Sequence, residues 1–327
     1  MGSFTIKTRV VGVDVGVTET TYAVVDIRGN VIAEGKFPTM DYPVLNDYVT
    51  ALSDRIVQMV MDNGGYEAIR SVGMSVPSAN FTTGCVENAS NLPWKGVIPL
   101  AAMMRDRLGL AVAIANDAHV TALGERAFGS AHGMKDFVVI SLGHGGVGSC
   151  IFLNGRSHLG ANGFAGEVGH VCIEENGRQC GCGHKGCLET YVSARGIRQT
   201  VLEKLQTWNG PTQLKADGDL SPTAIAKACE KGDALAHEVV EEVGNMLGFS
   251  LANYAMVLNP EAIILTGELT KMGDSLLTPV LESFEQNLFQ NVKGKVKVVL
   301  SSLDDHLRDV LGASVLAWEV KEYSLFK

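Results

Sequence analysis

No apolar run of about 18 residues or more occurs in the 327-residue chain, so no segment is expected to span a membrane. Positive charge is in short supply: 27 Lys and Arg stand against 36 Asp and Glu, a net charge of -9. Nucleic acid is therefore not an expected partner, because phosphate-backbone binding needs a positive surface. No secretory leader opens the chain, and the seven cysteines are an odd number. Both observations count against a disulfide framework. Thiols left among glycines, as for a zinc site, make the cytoplasm the expected location. Neither glycine-rich turn discussed below is followed by Gly-Lys-Ser/Thr, which excludes a Walker-type phosphate loop. What the chain does hold is 46% hydrophobic residues, 19% charged residues and 37 glycines, a globular composition rich in tight turns. The length favours two domains.

Residues 163–189, GFAGEVGHVCIEENGRQCGCGHKGCLE, are the most informative stretch. His170, Cys180, Cys182 and Cys187 make a complete ligand set for one tetrahedral zinc ion, with Glu167 and Glu189 close by in sequence. Glycines between them let the backbone fold around an ion. The thiols read alternatively as small buried hydrophobes, but a glycine-rich hairpin has little apolar core to hide them in. Four protein ligands would close the shell, so the metal is expected to be structural rather than catalytic.

Elsewhere short apolar runs alternate with helical periodicity. Val10, Val11, Val13 and Val15 form a buried strand interrupted near its end by Asp14. A buried carboxylate needs a partner. Asp14 therefore reads either as a group near a nucleotide's metal and phosphates, above a turn at Gly16–Thr18, or as a strand-end cap. A hairpin follows, with strands at 20–27 and 31–37. Helices are expected at 49–61, 100–108, 118–128, 192–205, 222–231, 234–258, 276–288 and 311–318. Further strands are expected at 69–76, 112–115, 137–142, 149–153, 262–265 and 296–300. Residues 78–94 read as a loop, in which Asn88 and Asn91 are turn residues or ligands for a hydroxylated molecule. Asp117 lies at a strand–helix junction, where it either bonds the first helical amides or acts as a general base. The loop at 143–148, GHGGVG, can expose successive amides to an anion. It repeats the arrangement around residues 12–18, so the two halves look alike in plan. The alternation gives an α/β protein with a mixed sheet in each half.

Taken together, Asp14–Thr18, the NDA at 116–118, GEVGH at 166–170 and the CGCGHKGCLE segment resemble the ROK family of sugar kinases and sugar-responsive repressors. The similarity runs from about Val10 to Ala317. It implies a two-lobed fold of the actin-like ATPase and hexokinase type, with ribonuclease H-like lobes around a cleft and a zinc knuckle in the second lobe. The expected domains are 1–123 plus 308–327, and 124–307 with the zinc segment at 170–187. The implied activity is ATP-dependent phosphorylation of a hexose, glucose before N-acetylhexosamines, mannose, allose or fructose. Asp117 would be the catalytic base. Asn91, Asp117, Glu167, His170 and Glu189 would bind sugar. Asp14, Gly16, Thr18, Gly143, His144, Gly145 and Gly267 would serve the nucleotide and Mg²⁺. His170, Cys180, Cys182 and Cys187 would hold Zn²⁺, with the GEVGH segment as a strand that the metal ties to the GCLE helix start. A homodimer or homotetramer is expected. This chain departs from the family pattern at four places. His144 replaces the hydroxyl residue of the second phosphate loop, and Glu19 replaces a basic residue. Thr266-Gly267-Glu268 replaces a triple glycine, and Pro77-Ser78 replaces a proline-glycine turn. No helix-turn-helix segment precedes Val10, which favours the kinase branch over the repressors.

Overall fold

The computed structural model describes residues 6–320 except Ser90, Gly145, Asp305 and His306. The chain divides into two compact units, residues 1–132 with 302–327, and residues 133–301. Among the described residues, no helix is long and apolar enough to cross a membrane.

The first unit opens with β1 (Arg9–Val15), β2 (Glu19–Asp26) and β3 (Val31–Pro38). After α1 (Leu45–Asp62) come β4 (Ile69–Ser75) and three short strands, β5 (Ala79–Asn80), β6 (Cys85–Glu87) and β7 (Val97–Ile98). α2 (Leu100–Leu108), β8 (Ala111–Ala115) and α3 (Asp117–Phe128) follow. The main sheet has the order β3-β2-β1-β4-β8. β1–β2–β3 is an antiparallel meander, and β1, β4 and β8 run parallel. Burial follows position in the sheet. Central β1 and β4 are buried along nearly their whole length, whereas edge strand β3 alternates between half-buried and exposed positions. α1 turns Leu52, Ile56 and Val60 inward at helical spacing.

The second unit repeats this plan. It holds β9 (Phe137–Leu142), β10 (Val147–Leu153), β11 (Arg156–Ser157), α4 (Glu189–Val192), α5 (Ala194–Leu205) and α6 (Pro222–Glu230). It continues with α7 (Ala234–Leu258), β12 (Ala262–Thr266), α8 (Asp274–Asn287) and β13 (Lys297–Leu300). Its sheet order is β11-β10-β9-β12-β13, again an antiparallel flank followed by parallel strands. α7 packs against α8 across the main core of this unit. The chain then returns to the first unit as α9 (Arg308–Glu319), which lies on β1 and β4. Gly12 and Gly73 make that contact possible: a Cβ at either would run into α9 backbone, at Val310 and Ala313 respectively.

Two local expectations are corrected. Residues 78–94 are not a plain loop but contain β5 and β6, which β7 completes as a small antiparallel sheet. Its strands are too short to display a period. The GEVGH segment is not a strand; Val168–His170 is a single 3-10 turn. Gly166, at φ 97°, turns the chain out of extended geometry.

Candidate functional site

In the first unit, β1 and the start of α3 bring two acids into electrostatic reach, and α9 adds a third. Asp14 pairs in register with Ser75 of β4 and Thr21 of β2. Burial pushes its pKa up to about 8, aided by the Asp309 and Asp117 charges and opposed by the Ser75 hydroxyl. The turn after Asp14 is fixed from outside: Thr39 Oγ1 donates to the Gly16 carbonyl at 2.8 Å, and Thr39 N–H donates to the Thr18 carbonyl at 3.0 Å. Thr18 itself is exposed, and its hydroxyl has no hydrogen-bond partner among the described residues.

Asn116, not Asp117, is the cap of α3: its Oδ1 accepts from His119 N–H at 2.8 Å. Asp117 is the first helical residue and accepts from Ala118 N–H at 2.9 Å. It keeps an exposed surface, yet surrounding protein desolvates the carboxyl and raises its pKa, against the pull of the helical amides. An accessible carboxylate with raised basicity suits proton acceptance. Asp309, in the first turn of α9, is held by Thr121 Oγ1 at 3.1 Å. Burial raises its pKa, Arg308 opposes, and Asp117 adds to the rise. Sequence reasoning missed Asp309. An acid opening a helix is ordinary, and only the small-residue face of α9 hinted that the helix sits against β1. Asn91 is exposed, with no hydrogen-bond partner among the described residues. Its loop is anchored by buried Leu92 and Trp94 and by Lys95 Nζ, which donates to the Leu92 carbonyl at 2.8 Å.

In the second unit, the four expected ligands converge. One donor atom from each of His170, Cys180, Cys182 and Cys187 lies within 4.8 Å of the others. Cys180 Sγ is 3.7 Å from His170 Nδ1, and Cys182 Sγ is 3.6 Å from Cys187 Sγ. A tetrahedron of thiolates about 2.3 Å from zinc has edges of about 3.8 Å. The cluster therefore fits a zinc ion in size, donor type and number, with Nδ1 as the histidine ligand. Backbone bridges Cys172–Cys187 and Gln179–Lys185 hold the knuckle together. Arg178 buttresses it, donating to the carbonyls of Thr190 at 2.8 Å and Gly196 at 3.1 Å. The Val168–His170 turn is secured by Ser149 Oγ, which donates to the Gly166 carbonyl, and by Tyr254 OH, which donates to the Val168 carbonyl at 3.2 Å.

Glu189 connects this cluster to the glycine loop. It begins α4, nearly buried, with Oε1 3.1 Å from Cys180 Sγ and 3.9 Å from His170 Nδ1. Its Oε2 lies 3.1 Å from where a Cβ on Gly146 would stand. Glu167 and His170 are exposed on the turn beside it. The loop after β9 rests on the start of α5: the Gly143 carbonyl accepts from Ala194 N–H at 3.1 Å and the His144 carbonyl from Arg195 N–H at 2.8 Å. Gly145 lies outside the described residues. Gly267, after β12, is at φ 95°, and a Cβ there would stand 2.6 Å from the Leu142 carbonyl oxygen.

Residues 10–320 match the family model of the ROK family. The chain belongs to the ROK family. A glucokinase of Halalkalibacterium halodurans is 34% identical over 95% of this chain and 94% of its own length. Among solved structures, a ROK family glucokinase from Streptomyces griseus, in complex with glucose and AMPPNP, superposes with a TM-score of 0.77 at 28% identity, covering 95% of this chain and all of that one. A ROK family transcriptional regulator, a homolog of the E. coli MLC protein, gives a TM-score of 0.84 at 26% identity over 95% of this chain and 78% of that one. Both branches of the ROK family are thus similar to this chain in fold. The α/β architecture of two mixed sheets and the cysteine–histidine knuckle are those of the ROK fold.

Proposed function

We propose that this ROK protein is a kinase that transfers the γ-phosphoryl group of ATP to a hexose hydroxyl, with glucose the first choice of acceptor. The observation that carries the reading is Asp117: an accessible carboxylate of raised basicity at a helix start, beside a second acid, in a chain similar to glucokinases along nearly its whole length. In the reaction the sugar oxygen bonds to the γ-phosphorus, the bond to the bridging oxygen breaks, and ADP leaves. Asp117 accepts the hydroxyl proton as that bond forms. Asn91, Glu167, His170 and Glu189 are assigned to the sugar hydroxyls. Gly16, Thr18, Gly143, His144, Gly145 and Gly267 are assigned to the nucleotide. Asp14 is assigned to Mg²⁺, which would neutralise phosphate charge. Zinc on His170, Cys180, Cys182 and Cys187 would fix the geometry of the His170 turn and Glu189 without entering the chemistry. N-acetylhexosamine, mannose, allose and fructose are the alternative acceptors, since one hydroxyl more or less is decided by placement within the site. The reading includes a cytoplasmic location and a dimer or tetramer. Phe249, Met256 and Val257 on α7 are exposed and available for such an assembly.

The test is ATP consumption by the purified protein across a hexose panel. Sugar-dependent ADP release would support the reading, and its absence with every sugar would end it. A second reading, a sugar-binding regulator without turnover, is favoured by the His144–Glu268 pair in the glycine mouth. Its signature would be sugar-dependent thermal stabilisation without ATP consumption.

A further inference from the structure

β9 and β12 are adjacent parallel strands, with Ser141 opposite Thr266 at their carboxyl ends. Ligands of α/β sheets sit outside the carboxyl ends of such strands. Each strand here runs into a glycine, Gly143 and Gly267 respectively. The Gly143 carbonyl is taken by α5, so across a trans peptide the His144 N–H must face away from that helix. The mouth therefore offers an amide to an anion. Yet it also carries a carboxylate: Glu268 Oε2 meets His144 Nδ1 at 3.1 Å, linking the two loops across the mouth. The bridge is held in register. Gly267 is packed against the Leu142 backbone, and Thr270 Oγ1 donates to the Gly267 carbonyl at 2.7 Å. Glu268 is about one-third exposed and the imidazole is largely exposed, so both groups are open to a ligand.

We propose that the His144–Glu268 bridge is a selectivity clasp at the nucleotide-phosphate mouth. Glu268 opposes the polyphosphate, and His144 limits that repulsion by engaging the carboxylate. The inference rests on the nucleotide site assigned above and adds which residues set its affinity. It makes two signed statements. Removing the carboxylate charge tightens polyphosphate binding. Removing the imidazole weakens it, but only while Glu268 is present.

The experiment is calorimetric titration of ATP, in Mg²⁺ buffer, into the full zinc-loaded chain and its variants, with adenosine as the phosphate-free control. Glu268→Gln keeps size and hydrogen-bonding capacity. Its Kd for ATP should fall about two- to fivefold, the range of exposed charge pairs, with adenosine unaffected. His144→Ala should raise the ATP Kd by a similar factor in the wild-type background and leave it unchanged in the Glu268→Gln background. An unchanged or higher Kd in Glu268→Gln would overturn the clasp. So would a His144→Ala effect of equal size in both backgrounds, which would mean that His144 contacts phosphate directly. Binding is read apart from turnover, so the two readings fail separately. Tighter ATP binding without sugar phosphorylation upholds the clasp and removes the kinase. Sugar phosphorylation with unaltered ATP affinity in Glu268→Gln does the reverse.

Discussion

His119 should make the protein acid-sensitive, and the size of the effect can be worked from its surroundings. The side chain is 5% exposed, and its ring meets Phe81 edge-on at a centroid distance of 5.5 Å. Its ring nitrogens have no hydrogen-bond partner among the described residues. Burial alone lowers its pKa from 6.5 to about 4. In the unfolded chain the imidazole takes up a proton near its ordinary value; in the folded chain it resists until about pH 4. The unfolded state therefore binds more protons between those values, and folding stability falls as pH drops through that window. At about 1.4 kcal/mol per pH unit, the full displacement corresponds to roughly 3 kcal/mol, and local relaxation makes about 2 kcal/mol the working expectation. For a chain of this size that amounts to a Tm difference of about 3 °C. His119→Gln removes the titration while keeping a polar side chain of comparable length. Its absolute stability at pH 7 will differ from wild type because the Phe81 contact is lost. The diagnostic quantity is therefore the loss between pH 7 and 4.5, measured by denaturant unfolding of both proteins. Metal release at acid pH enters both curves and cancels in the comparison. Equal losses in the two proteins would refute the reasoning.

Asp117→Asn should retain sugar affinity while kcat falls about 10²–10⁴-fold, the usual contribution of a positioned base; near-normal turnover would remove its role. Asp14 works in the opposite pH direction to His119. Its pKa is raised to about 8, so its stabilising contribution is complete below about pH 4 and is lost as pH rises toward 8. Asp14→Asn should therefore gain on wild type over that window in Mg²⁺-free buffer, by about 1–3 kcal/mol, and a pH-independent difference in unfolding free energy would contradict this. Zinc removal, verified by metal analysis, should lower Tm and weaken sugar binding, because the His170 turn and Glu189 share the cluster; an unchanged melting profile would exclude a structural metal. Gly73→Ala forces a Cβ into the Ala313 carbonyl and should cost about 2–3 kcal/mol in chemical unfolding, whereas an isoenergetic variant would mean that α9 can retreat from β4.

What the sequence revealed was governed by how local each signal is. α7 was readable end to end, because Asp233 caps its start and Asn259, in left-handed geometry before Pro260, closes it. The ligand cluster was readable because its donor types crowd a short, glycine-rich stretch. The GEVGH segment, expected as a strand, is a turn at Val168–His170, because the bend at Gly166 is a matter of backbone conformation that residue type alone does not announce. Long-range pairings were beyond reach. Asp309 joins Asp14 and Asp117 only because α9 returns across the sheet, and Glu189 meets the space at Gly146 only because the knuckle folds back on the glycine loop. Nothing in the residues around His119 distinguishes its burial from the exposure of a helix-surface histidine.

The two sheets share one strand order, so the β1–β2 and β9–β10 turns occupy equivalent places in a duplicated plan. Their chemistry has diverged. The first turn follows a desolvated carboxylate, Asp14, which gains most from a cation. The second follows Leu142 and offers a backbone amide at His144, which gains most from an anion. Glu268 is the exception to that division, an acid placed on the amide-bearing side and engaged by a histidine rather than a lysine or arginine. An arginine there would bind the carboxylate and the phosphates together and hold the mouth positive whatever the ligand. An imidazole makes a weaker and more easily broken partner, so the affinity of the mouth is set by a contact that a modest competitor can undo.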